Sequence, residues 1–289
     1  MIKQQKQPKA LVLLSGGLDS TLAVKLLQEK GMDITAVNFH TYFCGGEKAR
    51  IAGQNLNVPL REVDIISDFL KILKNPKYGR GSGINPCIDC HLLMLKHAKK
   101  IADKENFDFV ATGEVLGQRP MSQNKQALDL IKEKSGLGKK LIRPLIDIGI
   151  KGRSRKEQIK LAKKFKIKNY PQPAGGCPLT QKDYAKKLEK LLEKKPCCKL
   201  RDIKLLEAGR NFWFGKSLIV VGRNHENNLQ IKKLAQKGDI LIELKDYMGP
   251  LTLVRGSSSK ALDKAQELTQ YYSTKARDKK NPSFRVEKI

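Results

Sequence analysis

A six-residue stretch near the start of the chain has the residue types of an anion-binding loop: Ser15, Gly16, Gly17, Leu18, Asp19 and Ser20. It follows a short apolar run at 10–14 and precedes an amphipathic pattern at 18–30, so we expect it to join a buried strand to a helix. The first N–H groups of such a helix point outward, and glycines let a phosphate approach the backbone closely. The hydroxyl groups add donors, and the Asp19 carboxylate suits Mg²⁺.

The simpler interpretation of this loop is that Asp19 and Ser20 only cap a helix after a tight turn. The loop lacks the lysine of a Walker A motif, which excludes a P-loop. Its sequence, SGGLDS, resembles the SGGxDS pyrophosphate loop of the ATP pyrophosphatase superfamily, whose members split ATP into AMP and pyrophosphate. The resemblance implies that residues 15–20 bind ATP.

Three cysteines form a second group that could do chemistry: Cys87, Cys90 and Cys177. Each lies beside prolines and glycines, in a loop or at a helix start, where we expect exposed thiols whose pKa a helix N-terminus lowers. The Cys-x-x-Cys pair is compatible with a redox pair or with half of a zinc site. A structural zinc ion needs a fourth ligand, for which the candidates are His91, Cys197 and Cys198.

Four short stretches extend this pattern: NPCIDCH at 85–91, VATGE at 110–114, RPL at 143–145 and GGCP at 175–178. In their order they resemble the tRNA 2-thiouridylases and the related tRNA 4-thiouridine synthetases, over residues 10–185. The resemblance implies that Cys90 and Cys177 do sulfur chemistry, and that Phe39 and Gly113 line an adenine pocket through backbone contacts. The chain departs from the family at Glu114, where the family has histidine, at 117–121, and in having no long β-barrel extension.

The resemblance implies that AMP is transferred from ATP, with Mg²⁺, to a uracil carbonyl oxygen, and that a sulfur nucleophile then expels AMP. Two sulfur routes remain open. In one, Cys177 carries a persulfide and Cys90 closes a disulfide to release sulfide. In the other, Cys87, Cys90 and Cys177 ligate a [4Fe-4S] cluster whose fourth iron binds hydrosulfide. The expected sulfur donor is sulfide or a persulfide-carrying protein.

The charge of the chain predicts a polyanionic partner. Lys and Arg number 57 against 29 Asp and Glu, for a net charge of +28, and residues 151–200 hold 16 basic against 4 acidic side chains. We expect RNA and no membrane, because no strongly apolar face accompanies the charge, and no DNA, because no helix-turn-helix pattern is present. The alternative is a lysine-rich composition without meaning for binding.

Apolar runs and cysteine content bear on the compartment. The run at 10–14 is too short for a signal peptide or a membrane span, and no later run is long enough, so we expect a cytoplasmic protein. In a reducing compartment, catalysis or metal binding explains the six cysteines better than disulfides do.

Alternating strand and helix patterns in the first half predict an α/β fold, an open parallel sheet with flanking helices. The resemblance implies that this fold is of the adenine nucleotide alpha hydrolase type. The predicted strands are 10–14, 34–39, 60–64, 109–112 and 141–146. Loops after the first, second and fourth strands would share the carboxyl edge of the sheet, where ligands bind. We predict a basic tail at 1–8, an ATP pyrophosphatase domain at 9–198 and a smaller α+β domain at 199–289.

The C-terminal part resembles the NFACT RNA-binding domain of ribosome quality-control factors. The matching features are VGRN at 221–224, NN at 227–228, KD at 245–246, GP at 249–250 and RG at 255–256. Arginines such as Arg223 and Arg255 are suited to phosphates. Trp213, Phe214 and Tyr247 are candidates for stacking on unpaired bases, although single aromatic residues often belong to a core.

These patterns together predict an ATP-dependent tRNA sulfurtransferase that adenylates a pyrimidine carbonyl of uridine and replaces the oxygen with sulfur. Two alternatives stay open. One is another adenylating enzyme, such as a lysidine-type tRNA ligase or a deazaguanine synthase. The other is an RNA-binding quality-control factor with an inactive nucleotide domain.

Overall fold

A computed structural model describes residues 7–168, 170–171, 177–256 and 258–289 of the chain. The chain divides into two compact units, Met1–Lys182 and Asp183–Ile289. The predicted domain boundary at 198 lies after this division, because the helix Lys182–Lys194 falls almost entirely within the second unit. Most of the predicted tail at 1–8, and Gly175 and Gly176 of the GGCP stretch, lie outside the described residues.

The first unit is built on a parallel sheet with the strand order β3-β2-β1-β4-β5. Its strands are β1 (Lys9–Leu13), β2 (Asp33–His40), β3 (Leu60–Asp64), β4 (Phe109–Ala111) and β5 (Leu141–Ile142). Its helices are α1 (Leu18–Glu29), α2 (Glu47–Leu56), α3 (Ile66–Lys74), α4 (Cys87–Lys104), α5 (Lys125–Ser135), α6 (Pro144–Asp147) and α7 (Lys156–Lys164). The predicted α/β class and parallel sheet are confirmed.

Helices cover both faces of this sheet, because the central strand is apolar on both sides. On one face Leu11 of β1 packs with Leu95 of α4 and Ile131 of α5. On the other face Val12 packs with Leu27 of α1 and with α2. The two cores hold β1 rigidly, so that the loop at its carboxyl end has a fixed position.

The second unit is a separate antiparallel sheet with the strand order β10-β8-β9-β7-β6. Its strands are β6 (Arg210–Phe214), β7 (Ser217–Val221), β8 (Asp239–Leu244), β9 (Thr252–Arg255) and β10 (Phe284–Lys288). Its helices are α8 (Lys182–Lys194), α9 (Leu200–Leu205), α10 (His225–Leu234) and α11 (Ser259–Tyr271). Alternate residues of β7 pack on α9 and α10 at one face and on α11 at the other.

One local difference from the sequence prediction has a clear physical reason. The strand predicted at 141–146 ends at Ile142, because Pro144 starts the short helix α6. At the end of the chain, β10 pairs with β8. Residues 169 and 172–176 lie outside the described residues, and Pro178–Thr180 after them forms a 3₁₀ turn.

None of the helices in the described ranges has the length and apolar character needed to cross a lipid bilayer.

Candidate functional site

The loop at 15–20 lies at the carboxyl end of β1 and leads directly into α1, as predicted. Gly16 has φ +76°, and a Cβ there would lie 2.2 Å from the carbonyl oxygen of Lys48, so no larger residue fits. Ser20 donates to the carbonyl oxygen of Gly17 at 2.9 Å, and its hydroxyl lies 3.2 Å from that of Ser15. Leu18 is buried in the core and anchors the turn. The helix therefore begins in a tightly packed glycine turn with two hydroxyl groups.

Asp19 has one carboxylate oxygen with a partner and one without. Its Oδ2 accepts a hydrogen bond from Nε2 of Gln118 at 2.9 Å. Its Oδ1 is buried and, among the described residues, has no hydrogen-bond partner. A buried oxygen of this kind is costly unless a ligand completes it. The position is therefore suited to a cation or to a donor of a bound molecule.

Gly113 follows β4 and lies against the start of α1. A Cβ on Gly113 would come within 2.6 Å of the backbone of Asp19 and Ser20, so glycine is required for this close approach. Phe39, at the end of β2, buries its ring in the core and pairs through its backbone with Val63 of β3. The buried ring is therefore not available to a ligand, and the backbone contact with adenine that the resemblance implies stays a prediction.

Glu114, the residue at which the chain departs from its resembled family, is the centre of a buried network. It accepts hydrogen bonds from Arg143 at 2.7 Å and from Thr112 at 2.9 Å, and lies 2.8 Å from Nδ1 of His91. Burial raises the pKa of this carboxyl, but His91 and Arg143 outweigh burial and lower it to about 2. Glu114 is therefore a charged residue whose hydrogen bonds link the end of β4 to α4 and to Arg143.

Cys87 and Cys90 occupy the first turn of α4. The Cys87 sulfur accepts a hydrogen bond from Nδ2 of Asn85 at 2.9 Å. Between the two cysteines, Asp89 accepts the backbone N–H groups of Lys77 and Tyr78, each at 3.0 Å. These bonds tie the Gly/Pro-rich segment before α4 to the helix that carries the Cys-x-x-Cys pair.

Cys177 is brought toward this pair by the turn that follows it. Ile84 donates its N–H to the carbonyl oxygen of Leu179 at 3.0 Å, and a Cβ on Gly83 would lie 2.3 Å from the same oxygen. Thr180 closes the turn by donating its hydroxyl to the carbonyl oxygen of Cys177 at 2.7 Å. The structure therefore brings together Cys90 and Cys177, which the sequence placed far apart.

A fourth cysteine, Cys44, belongs to the same group and was missed by sequence reasoning. Cys44 is an exposed residue. The Cys177 thiol is the main cause that lowers the pKa of Cys44 to about 7, and Arg119 acts in the same direction. The available signal was its place in the loop after β2, at the sheet edge already expected to bind ligands.

The pKa values of the predicted cysteines differ from the expectation. Burial is the main cause that raises the pKa of Cys90 to about 12. The Cys44 thiol, followed by burial, raises the pKa of Cys177. Both thiols are half-buried, so the prediction of exposed, acidic thiols at these two positions is wrong. The low-pKa member of the group is Cys44.

The placement of the possible metal ligands bears on the predicted zinc site. Within the described ranges, no group of three or more His, Cys, Asp or Glu side chains is placed to hold a metal ion. Of the candidate zinc ligands, His91 is paired with Glu114, while Cys197 is exposed and Cys198 is buried in the second unit. The arrangement gives no support to a structural zinc site.

In the second unit, Arg255 is not available to phosphates. It is buried and bonds Asp239 at 2.9 and 2.6 Å, Asp202 at 2.9 Å and the carbonyl oxygen of Leu234 at 2.9 Å. The prediction that it binds RNA is therefore wrong. Arg223 is exposed and braced by Asn227 at 3.0 Å, so its charge remains on the surface.

The predicted stacking residues differ in exposure. Phe214 is 37% exposed, whereas Trp213 and Tyr247 are half-buried. Trp213 packs partly on the core and partly lines a cleft of about 280 Å³. Lys216 and Lys237 lie at the same cleft, and both are exposed. The cleft therefore combines an aromatic edge with positive charge.

Two curated relatives match part of the chain. The "Probable tRNA sulfurtransferase" of Finegoldia magna is 31% identical over 147 residues, which cover 48% of this chain and 36% of the relative. The "tRNA-specific 2-thiouridylase MnmA 1" of Clostridium tetani is 31% identical over 133 residues, which cover 39% and 35%. The chain thus spans about a third of the length of these relatives.

A solved structure described as "Crystal structure of a 4-thiouridine synthetase - RNA complex with bound ATP" is 28% identical, with a TM-score of 0.43 over 69% of this chain and 52% of that chain. The overlap is too low to transfer a residue's role.

Family models match more of the chain. Residues 209–288 match the NFACT protein RNA binding domain, and residues 5–190 match the model described as "Thiamine biosynthesis protein (ThiI)". The chain belongs to the ThiI family.

Proposed function

We propose that the chain is an ATP-dependent tRNA sulfurtransferase, which adenylates a carbonyl of uridine and replaces its oxygen with sulfur. A single loop carries the proposal. Gln118 hydrogen-bonds Asp19 in the phosphate loop, while the neighbouring Arg119 acts electrostatically on Cys44 in the cysteine group. This loop therefore links the two groups, since Gln118 contacts the phosphate loop and the charge of Arg119 acts on the cysteine group.

For activation, the N–H groups at the start of α1 and the hydroxyl groups of Ser15 and Ser20 would hold the leaving pyrophosphate. The unpartnered Asp19 Oδ1 fits Mg²⁺, which when bound would supply positive charge to the leaving group. Phe39 and Gly113 would contact the adenine ring through their backbone, since the Phe39 ring is buried and Gly113 has no side chain.

For sulfur transfer, Cys177 would carry the persulfide and Cys90 would close the disulfide that releases sulfide, as the resemblance implies. The donor types of Cys87, Cys90 and Cys177 suit an iron–sulfur cluster. Within the described residues, however, these three side chains are not arranged as a metal site.

For substrate binding, the second unit supplies exposed cations and a half-buried aromatic residue around one cleft. Phosphate contacts of this kind position an RNA without reading its sequence. Together with the match to the NFACT RNA-binding domain, this supports tRNA as the polyanionic partner.

The test is to incubate the purified chain with ATP, Mg²⁺, bulk tRNA and sulfide or a persulfide donor. Thionucleosides are then measured by mass spectrometry, together with AMP and pyrophosphate. We expect one thiolated uridine, lost in Cys177→Ser and kept in the surface control Cys197→Ser. ATP cleavage without any thionucleoside, from either sulfur source, would contradict the sulfurtransferase proposal and favour another adenylating enzyme.

The sulfur route is tested by anaerobic purification and iron analysis. The persulfide route predicts a colourless protein without iron that thiolates tRNA at the expense of a persulfide donor. A brown protein, whose iron and colour are lost in Cys87→Ala, would replace this route by the cluster route.

A further inference from the structure

Two arginines and two tyrosines of the second unit form a surface that we call the arginine–tyrosine patch. Its members are Arg210 of β6, Tyr271 and Tyr272 at the end of α11, and Arg277 of the loop that follows. The Arg210 guanidinium lies over the Tyr272 ring, 4.4 Å from its centroid. The Arg277 guanidinium lies over the Tyr271 ring at 5.1 Å, and the two tyrosine rings meet edge to face at 5.0 Å. The four side chains therefore form one continuous surface of cations and aromatic rings.

The patch is open to solvent and has unused hydrogen-bond donors. Tyr271 is 55% exposed, although Arg277 covers part of its ring. Nε of Arg277 donates to the carbonyl oxygen of Tyr271 at 2.8 Å, which fixes the guanidinium. In the described part of the chain, the Nη groups of Arg277 have no partner, and no carboxylate pairs with Arg210 or Arg277. A planar guanidinium that is held in place with free N–H groups is suited to a phosphate.

The loop that carries Arg277 is folded by its own hydrogen bonds. Nε2 of Gln270 donates to the carbonyl oxygen of Lys279 at 2.8 Å and so closes the loop onto α11. Ser273 donates its hydroxyl to the carbonyl oxygen of Met248 at 2.8 Å, which ties the loop to the segment after β8. The backbone at Arg277 is therefore ordered before a ligand binds, and this lowers the entropic cost of binding.

The surroundings of the patch are strongly basic. Residues 275–280 hold three lysines and one arginine against a single acidic residue, and all four cationic residues are exposed. Exposed Arg223 follows Gly222, whose carbonyl oxygen lies 3.5 Å from Nη1 of Arg210. The open Tyr271 ring thus has cations on several sides, and this charge favours a polyanionic ligand.

The patch is separate from the cleft at Trp213. Successive residues of β6 point to opposite faces of the sheet. Phe212 packs with Tyr272 on the face that α11 covers, at 6.0 Å between ring centroids, whereas Trp213 packs on the face of α9 and α10. The residues that line the cleft include no member of the patch. The second unit therefore has two basic surfaces with aromatic side chains, at opposite faces of its sheet.

We propose that the arginine–tyrosine patch binds an unpaired nucleotide of an RNA, with its base on the open part of the Tyr271 ring and its phosphates at Arg210 and Arg277. A protein ring can stack only on a base whose face is free, and bases inside a duplex have both faces covered. The guanidinium groups bind phosphates without reading sequence. The inference rests on the RNA partner of the proposed function and is independent of its sulfur chemistry.

The first experiment measures the affinity of the full-length chain for a short fluorescent oligouridine and for an RNA duplex of the same length, by fluorescence anisotropy. Tyr271→Ala should bind the oligouridine about tenfold more weakly, and Tyr271→Phe, which keeps the ring, should stay within about twofold of the wild type. The fluorescence of Trp213, at the other face of the sheet, checks that each variant is folded. Wild-type affinity of Tyr271→Ala for the oligouridine overturns the proposal, and so does an equal loss of affinity for the duplex.

The second experiment measures the oligouridine affinity of Arg277→Gln as a function of salt. Loss of one phosphate contact should lower the slope of log affinity against log salt by about 0.7, the value for a single strand. The matched control is Arg285→Gln on β10, at the opposite edge of the sheet, because Arg285 already pairs with Glu243 at 3.0 Å. An unchanged slope in Arg277→Gln, or the same change in both variants, overturns the phosphate contact.

Binding of bulk tRNA separates this inference from the proposed function. We expect Tyr271→Ala to weaken tRNA binding as well, since tRNA contains unpaired loops. A wild type that binds and thiolates tRNA, with the same tRNA affinity in Tyr271→Ala, overturns the patch alone. A wild type that binds none of these RNAs overturns the RNA partner of the proposed function together with the patch. Tighter binding of polyglutamate than of oligouridine would assign the patch to an acidic protein segment instead.

Discussion

Two regions of the molecule, the Arg255 cluster and the phosphate loop, treat buried charge in opposite ways. In the second unit, Arg255 donates to Asp202 and Asp239, and Lys195 adds a further bond to Asp202 at 2.8 Å. In the first unit, Asp19 keeps a buried oxygen without a partner among the described residues. An unpartnered buried carboxylate oxygen costs on the order of 1–3 kcal/mol of stability, and a bound cation or donor would offset this cost. A buried charged group whose partners all lie within the fold indicates a structural role. A buried charged group that lacks a partner indicates a binding site.

The largest expected effect tests the structural side of this comparison. Replacing Arg255 by Met leaves Asp202 and Asp239 buried near each other without their shared cation, so the free energy of unfolding should fall by about 3–5 kcal/mol. Urea unfolding followed by tryptophan fluorescence reports on this unit, because the single Trp of the chain is Trp213.

The matched control is Arg285→Met, whose exposed pair with Glu243 should contribute less than about 0.5 kcal/mol. If Arg255→Met were as stable as this control but bound tRNA more weakly, Arg255 would be a binding residue after all.

Glu114 provides the same kind of test in the first unit. The folded pKa of Glu114 is lowered from 4.5 to about 2, so its stabilisation is complete above the unfolded value and is lost as the pH falls toward 2. The shift corresponds to about 3 kcal/mol, an upper figure for this window. Urea unfolding between pH 5 and 2 should show a smaller loss in Glu114→Gln than in the wild type. Parallel pH profiles would mean that other carboxyl groups dominate.

Particular elements show what the sequence could predict. The strand β1 and the helix α1 were predicted because an apolar run, two glycines and an amphipathic pattern are all local signals. The phosphate loop was identified from the same local signals, whereas Gly113 was identified only through the resemblance. The strand predicted at 141–146 was too long because a proline can begin a helix as well as end a strand.

Cys44 and Arg255 show where sequence reasoning stops. The residue type of Arg255 suggests phosphate binding, but its environment depends on Asp202 and Asp239, which are remote in sequence. Cys44 carries no motif, and the effect of Cys177 on its pKa involves two residues that are far apart in the sequence. Charge compensation and pKa effects of this kind are tertiary properties.

Asp19→Asn tests the ligand side of the comparison. The change keeps the shape and the bond to Gln118 but removes the charge, so AMP formation from ATP and tRNA should fall about a hundredfold or more. The free energy of unfolding should stay within about 1 kcal/mol of the wild type, since no bond of Oδ1 is lost.

The control for Asp19→Asn is Asp33→Asn, at the exposed start of β2. High Mg²⁺ should partly restore AMP formation in Asp19→Asn, and only in that variant. A variant that is inactive because it is unfolded, or one that is fully active, would remove Asp19 from the proposed magnesium site.

The smallest effect concerns the cations at the edge of the second unit's cleft. Lys237 is exposed and, in the described part of the chain, has no ion-pair partner, in contrast to Arg255 at the same cleft. If Lys237 contacts an RNA phosphate, Lys237→Ala should weaken tRNA binding about two- to fivefold, equally for different tRNAs, and lower the slope of log affinity against log salt by about 1. The matched control is Lys264→Ala, at a lysine already paired with Glu267 on α11, which should change neither the affinity nor the slope.

An unchanged slope in Lys237→Ala would show that an unpaired surface cation is not by itself a phosphate contact. The contrast between Lys237 and Arg255 would then hold for stability but not for RNA binding.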